Sequence, residues 1–107
     1  MSLSVVMTTL GSEAAAQNLA RSLVAERLAA CAQIVACESH YVFEGAQHAD
    51  REWRVELKTT EAGCDALMQR LVVLHPYDVP EVIALPIMAA STDYAAWVCN
   101  NVGPSSE

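Results

Sequence analysis

Charge is scarce in this chain. Asp, Glu, Lys and Arg make up 18% of its 107 residues, against roughly 25% in an average soluble domain. Basic residues are the scarcer sign, 6 Lys and Arg facing 13 Asp and Glu for a net charge of −7. Nucleic-acid binding needs clustered Lys and Arg, and this balance opposes it. Glycines are few and stand singly at 11, 45, 63 and 103, so neither a phosphate-cradling loop nor a dinucleotide fingerprint is present. A Gly-x-Ser-x-Gly nucleophile elbow is missing too. No apolar run approaches the ~18 residues of a membrane span. The opening Met1-Ser2-Leu3-Ser4 has no basic region and no cleavable apolar segment, so the expected location is the cytoplasm. Cys31, Cys37, Cys64 and Cys99 form no Cys-x-x-Cys and no Cys/His quartet, and free, mostly buried thiols are expected. With no nucleophile–base pair or phosphate cradle to name, the expectation is a protein without catalysis.

Apolar side chain is what the chain has in excess: 53% of the residues, with 18 alanines. Disorder requires low hydrophobicity and high charge, the reverse of this composition. No repeat, linker or low-complexity tract divides the chain, so a single domain spans residues 1–107; only Gly103 to Glu107 reads as a loose tail. A compact fold of this length has a radius of gyration of about 13 Å and buries about two-thirds of the surface its unfolded chain exposes. So small a body with so few charges has trouble hiding its apolar surface alone, which points to self-assembly.

The hydrophobic pattern predicts the elements. Leu3 to Leu10 is short and rich in β-branched residues, a strand broken by Gly11. Ser12 is an N-cap for a helix ending near Ala30, with Glu13 in its first turn and Ala16, Leu19, Ala20, Leu23, Val24 and Leu28 at helical spacing. Ala32 to Gly45 reads as a long strand. A connection over Gly45 to Asp50 leads to a second strand, Glu52 to Thr60, with Trp53, Val55, Leu57 and Thr59 on one face and Glu52, Arg54, Glu56 and Lys58 on the other. Cys64, Leu67, Met68, Leu71 and Leu74 repeat as a helix that Pro76 stops at His75. Val82 to Met88 is a strand whose Pro86 suits a sheet edge. A last helix starts near Ser91. This order predicts an α+β, ferredoxin-like split βαβ fold (βαββαβ plus a C-terminal helix). Its four-stranded antiparallel sheet carries the crossover helices on one face and leaves the other bare for assembly.

The densest cluster of chemistry-bearing residues is His75-Pro76-Tyr77-Asp78-Val79-Pro80-Glu81. Two prolines stiffen it, and its imidazole and carboxylates are groups that hold a divalent ion or a small polar ligand. The alternative reading of the same residues is a helix stop and rigid turn whose polar groups satisfy the backbone. Lys58 on the polar strand face is expected to share a pocket with Glu81 if that face is buried in an oligomer. His40 and His48 read as surface residues, Cys31 as a small core hydrophobe, and Tyr94 and Trp97 as packing.

Leu28-Ala29-Ala30-Cys31, Tyr41-Val42-Phe43-Glu44-Gly45, Leu57-Lys58-Thr59-Thr60, the run from His75 to Ile87, and Asp93-Tyr94-Ala95-Ala96-Trp97 occur in that order. This series resembles the CutA family of divalent-cation tolerance proteins over about Ser4 to Val102. The resemblance implies a ferredoxin-like homotrimer with sheets inward and helices outside, cytoplasmic and non-enzymatic, linked to copper and other divalent metals. It marks His75, Cys31 and Glu81 as metal-ligand candidates, and Tyr41, Lys58, Tyr77 and Asp78 as residues of an inter-subunit ligand cleft. Some bacterial members carry a Cys late in the first strand and a His just before His-Pro-Tyr; this chain has Thr8 and Leu74 there. Phe43 stands where a Trp is usual, and Glu56 where an apolar residue is expected.

The function expected from these readings is a response to divalent metals with self and divalent cations as the partners, and neither nucleic acid nor membrane. No cofactor is required, and Cu(II) or another divalent cation is the bound species considered, held weakly. The alternatives are a PII-like small-ligand sensing or signalling trimer and a trimeric scaffold for partner proteins.

Overall fold

The computed structural model describes residues 2–104. Strand β1 (Leu3–Leu10) stops at Gly11, and the hydroxyl of Ser12 accepts the Ala15 N–H at 3.1 Å to start helix α1 (Glu13–Ala25). Both starts follow the local chemistry: β-branched residues fill the strand, and a hydroxyl satisfies an orphan helix N–H. Helix α1 buries Ala16, Leu19, Ala20 and Leu23 but ends five residues before the expected Ala30. Arg27 turns into the left-handed region at φ 59°, and the Leu28 N–H bonds back to the Leu23 carbonyl at 3.1 Å. A remote segment secures that turn. The Arg27 guanidinium donates to the carbonyls of Asn100 and Gly103, while the Gly103 N–H donates to the Arg27 carbonyl at 2.9 Å. Gly103, read above as loose, is therefore tied down; residues 105–107 of that tail lie outside the described residues.

Strands β2 (Cys31–Phe43) and β3 (Ala46–Thr60) form a longer hairpin than the alternation indicates. Residues 46–50 of the expected connection are strand. The true link is Glu44-Gly45, with φ of 51° and 79°, the two-residue turn in which both positions take positive φ. Pairing continues to the tip, Phe43 opposite Ala46. Every residue from Tyr41 to Arg51 is exposed, so the hairpin projects as an arm. It stretches the molecule to 49 × 26 × 21 Å and raises the radius of gyration to 14.5 Å, above the ~13 Å of a compact chain.

Helix α2 (Cys64–Leu74), strand β4 (Ile83–Ile87) and helix α3 (Thr92–Asn101) complete the chain. The sheet order is β2-β3-β1-β4, with every neighbouring pair antiparallel and β4 at an edge, as Pro86 indicates. One face carries α1 and α2. There Val6, Leu10, Val55 and Leu57 pack with Leu19, Leu23, Leu67 and Leu71, all 5% exposed or less. Each such side chain contributes about 1.5–3 kcal/mol by leaving water. No helix among the described residues is long and apolar enough to cross a membrane.

The opposite face is bare along most of its length but not all of it. Helix α3 covers one end, where Ala95 and Val98 pack on Leu3 with Ile87 beside them. Registers on this open face run in rungs: Cys31, Lys58, Val5 and Leu85 form one, and Gln33, Glu56, Met7 and Ile83 the next. Val35, Ile83 and Leu85 on this face are each more than 40% exposed. That leaves apolar surface exposed on the face that the sequence reading expects to serve assembly.

Candidate functional site

The open face and the loop between α2 and β4 hold the residues singled out from the sequence. His75 caps α2 and turns its ring into the molecule, where it is 7% exposed. Its Nδ1 accepts the Tyr77 N–H at 3.1 Å, so the ring proton lies on Nε2 and is donated to the Thr9 carbonyl at 2.9 Å. Burial lowers its pKa below 6.5, with the Thr9 hydrogen bond opposing. Both ring nitrogens are thus in use between backbone groups. His75 ties the 75–81 loop to the end of β1, and a metal would have to displace one of those bonds.

Cys31 begins β2 on the rung of Lys58, half-buried beside the Tyr94 hydroxyl, which burial and this neighbour push up in pKa. Its rung meets β1 at Val5, four residues from Thr9, on the order of 13 Å along a strand. Glu81 is exposed on the loop before β4. His75, Cys31 and Glu81 therefore do not form one ligand set within a single chain. No group of three or more His, Cys, Asp or Glu side chains among the described residues is placed to hold a metal ion.

Tyr41 and Tyr77 do come together, through two carboxylates that the sequence reading passed over. The hairpin register puts Asp50 opposite Ser39 and Glu52 opposite Cys37, both on the open face at the base of the arm. The Tyr41 hydroxyl donates to Asp50 at 2.5 Å, and the Tyr77 hydroxyl donates to Glu52 at 3.2 Å. Its bond to Asp50, aided by desolvation and nearby acids, pushes the Tyr41 pKa up to about 12. Burial leads the upward shift at Tyr77, followed by the charge of Glu52. His48 stacks on the Tyr41 ring, with centroids 5.4 Å apart and planes 16° from parallel. Gly11 permits the approach of Tyr77, because a Cβ there would stand 2.9 Å from the Tyr77 hydroxyl oxygen. Asp78 is exposed on the same loop.

Lys58 is half-buried at the other end of the face. It lines a cavity of about 480 Å³ whose acid is Glu56, not the expected Glu81. Strand periodicity places Glu56 on that face; the path of the loop, which periodicity does not encode, takes Glu81 elsewhere.

This combination of a 2-3-1-4 antiparallel sheet, a long projecting hairpin and a sheet face left largely without helices defines a ferredoxin-like α+β protein. Residues 4–101 match the model of the CutA1 divalent ion tolerance protein family. The divalent-cation tolerance protein CutA of Thermus thermophilus is 42% identical over 100 residues, covering 92% of this chain and 97% of that one. Its solved structure superposes with a TM-score of 0.89 at 41% identity, covering 94% of this chain and 99% of the other. The crystal structure of CutA1 from Oryza sativa gives a TM-score of 0.92 at 40% identity, covering 98% and 97%. The chain belongs to the CutA1 divalent ion tolerance family.

Proposed function

We propose that this chain is a non-enzymatic, cytoplasmic homotrimer that acts in tolerance of divalent metal ions and associates with them, Cu(II) among them, at modest affinity. The observation that carries the reading is the family match over residues 4–101, with relatives named for divalent-cation tolerance. The exposed apolar residues Val35, Ile83 and Leu85 on the open sheet face support association through that face. The partners are other copies of the chain and divalent cations, and neither nucleic acid nor membrane.

Modest affinity follows from the chemistry. The one imidazole in the 75–81 loop is held by backbone groups, and a site without converging soft or imidazole ligands binds Cu(II) weakly. What remains is a net charge of −7 per chain, tripled in a trimer, which gathers cations at its surface. Isothermal titration of the reduced protein with Cu(II) and Zn(II) tests the binding. Heat that shrinks as salt is added is the expected result; none above buffer at high micromolar metal discards direct binding. Sedimentation equilibrium tests the assembly, and a single-chain mass discards the trimer. The PII-like alternative loses support from the arm, because its Glu44-Gly45 turn is too tight to close over a nucleotide.

A further inference from the structure

We propose that Cys64 and Met68 on helix α2 form a two-sulfur site for a soft monovalent metal ion, Cu(I) by its chemistry. This goes beyond the divalent reading above and does not depend on it, because the ion, the place and the ligands all differ. The two residues are one helical turn apart, so their side chains share a face of α2. The Cys64 thiol donates to the Met68 sulfur at 3.9 Å. Two metal–sulfur bonds of about 2.3 Å, the length found at zinc thiolates, span that separation at an angle of about 115°. The sulfurs are therefore spaced to take an ion between them in near-trigonal geometry without a shift of the helix. Both side chains are half-buried and pack at the margin of the helix-covered core. That is the side of the sheet opposite the face proposed for assembly, so a trimer leaves the pair within reach of an ion.

The surroundings select the ion. Thiolate and thioether are soft donors that favour Cu(I). Zinc takes four ligands from thiolate, imidazole and carboxylate groups, and no group of three such side chains among the described residues is placed to hold an ion. Charge agrees with softness. Cu(I) on one thiolate and one neutral thioether leaves no net charge in a half-buried place, whereas a divalent ion leaves one unit there. Burial raises the Cys64 pKa, and the charges of Asp65 and Glu61 add to the rise, so the free thiol keeps its proton. The same two acids attract a cation to that sulfur. On binding, the S–H bond breaks, its electron pair goes to copper and the proton leaves to water. Copper enters as Cu(I), so nothing is oxidised or reduced. The Ser4 hydroxyl, on a residue 7% exposed, hydrogen-bonds the Cys64 sulfur and steadies the thiolate. The other cysteines keep different company: Cys31 lies beside the Tyr94 hydroxyl, Cys37 is 4.0 Å from the Ser39 hydroxyl, and Cys99 packs with Leu3 and Val98.

Oxygen-free titration of the intact protein with Cu(I) in excess reduced glutathione tests the site, since a pool of single thiols strips copper from any lone cysteine. The readouts are copper retained per chain after desalting and the cysteine shielded from alkylation, located by mass spectrometry. One Cu(I) per chain and shielding of Cys64 alone are expected. Cys64→Ser should abolish retention. Met68→Leu, which nearly conserves volume, should weaken it by at least about tenfold, the loss that even an outer-shell partner of a metal brings. Neither change is expected to alter the salt-sensitive association of Cu(II) and Zn(II). The shielding map uses the unaltered protein, so it decides even if a variant misfolds. Loss of all copper to glutathione overturns the proposal, as does undiminished retention in Met68→Leu. So does shielding of Cys31, Cys37 or Cys99 in place of Cys64, or equal shielding of Cys64 by Zn(II).

Discussion

The Tyr77 N–H meets Nδ1 of His75 at 3.1 Å and thereby sets the tautomer of a buried ring. With Nε2 on the Thr9 carbonyl, the imidazole is neutral and a second proton would face the Tyr77 N–H. Burial is the leading cause of its pKa falling below 6.5. The unfolded chain therefore takes up a proton at a higher pH than the folded one. The stability that neutral His75 contributes is complete above about pH 6.5 and is lost as pH falls through the lower folded value. Urea unfolding between about pH 5 and 8 checks this: His75→Gln is expected to flatten the acid side of the profile. It should also cost about 1–2 kcal/mol at pH 8 through its poorer pair of hydrogen bonds. An unchanged acid slope in the variant would move the titration to another group.

Gly11 and Tyr77 should be coupled. A Cβ at Gly11 stands 2.9 Å from the Tyr77 hydroxyl oxygen but 3.9 Å from the ring carbon that bears it. Gly11→Ala is expected to displace the hydroxyl from Glu52 and to cost about 1 kcal/mol. In a Tyr77→Phe background the clash disappears, and the same change should instead stabilise by about 0.5 kcal/mol through the lower entropy of the unfolded chain. A double-mutant cycle measured by denaturation reads the change of sign. Additive effects would show that the tyrosine does not need the glycine.

These residues also mark how far local pattern reaches. The limits of β1 and the stop of α2 at His75 were legible because Gly11, Ser12 and Pro76 act on their immediate neighbours. The end of α1 was not, since the turn at Arg27 is held by carbonyls more than 70 residues away. The outer half of the arm has no core to face, so Ala46 to Arg51 carry no alternation that could announce a strand. The candidate site divides in the same way. Tyr41 and Tyr77 stood out by motif, while Asp50 and Glu52 resembled turn and solvent-face residues until the register put them beneath those hydroxyls. Strand alternation already put Glu56 beside Lys58 on one face, whereas the path of the loop that keeps Glu81 out of their pocket has no local signature.

The tip of the arm should tolerate improvement. Glu44 sits at φ 51°, a left-handed conformation that costs ordinary residues about 1 kcal/mol and asparagine less. Glu44→Asn creates the Asn-Gly pair that two-residue hairpin turns prefer, and is expected to stabilise the hairpin by a few tenths of a kcal/mol. Gly45→Ala, at φ 79°, is expected to destabilise by about 1 kcal/mol. Amide hydrogen exchange across residues 38–51 reads both changes, slower for the first and faster for the second. Equal rates in both variants would contradict the turn geometry.

Thr8 presents the opposite problem, a polar atom with nothing to bond. It lies on the core face of β1 opposite Val55, fully buried, and its hydroxyl oxygen has no hydrogen-bond partner among the described residues. An unsatisfied buried hydroxyl costs about 1–3 kcal/mol, and a methyl group of the same shape does not. Thr8→Val is therefore expected to stabilise the protein by about 1 kcal/mol or more, seen as a higher urea midpoint at an unchanged slope. Thr8→Ser keeps the orphan hydroxyl and opens a methyl-sized void, so it should lose about 1 kcal/mol. The pair separates hydroxyl from packing, because the two variants retain opposite halves of the side chain. A Val variant less stable than the parent would mean that the Thr8 hydroxyl bonds to a group, such as a buried water, that repays its burial.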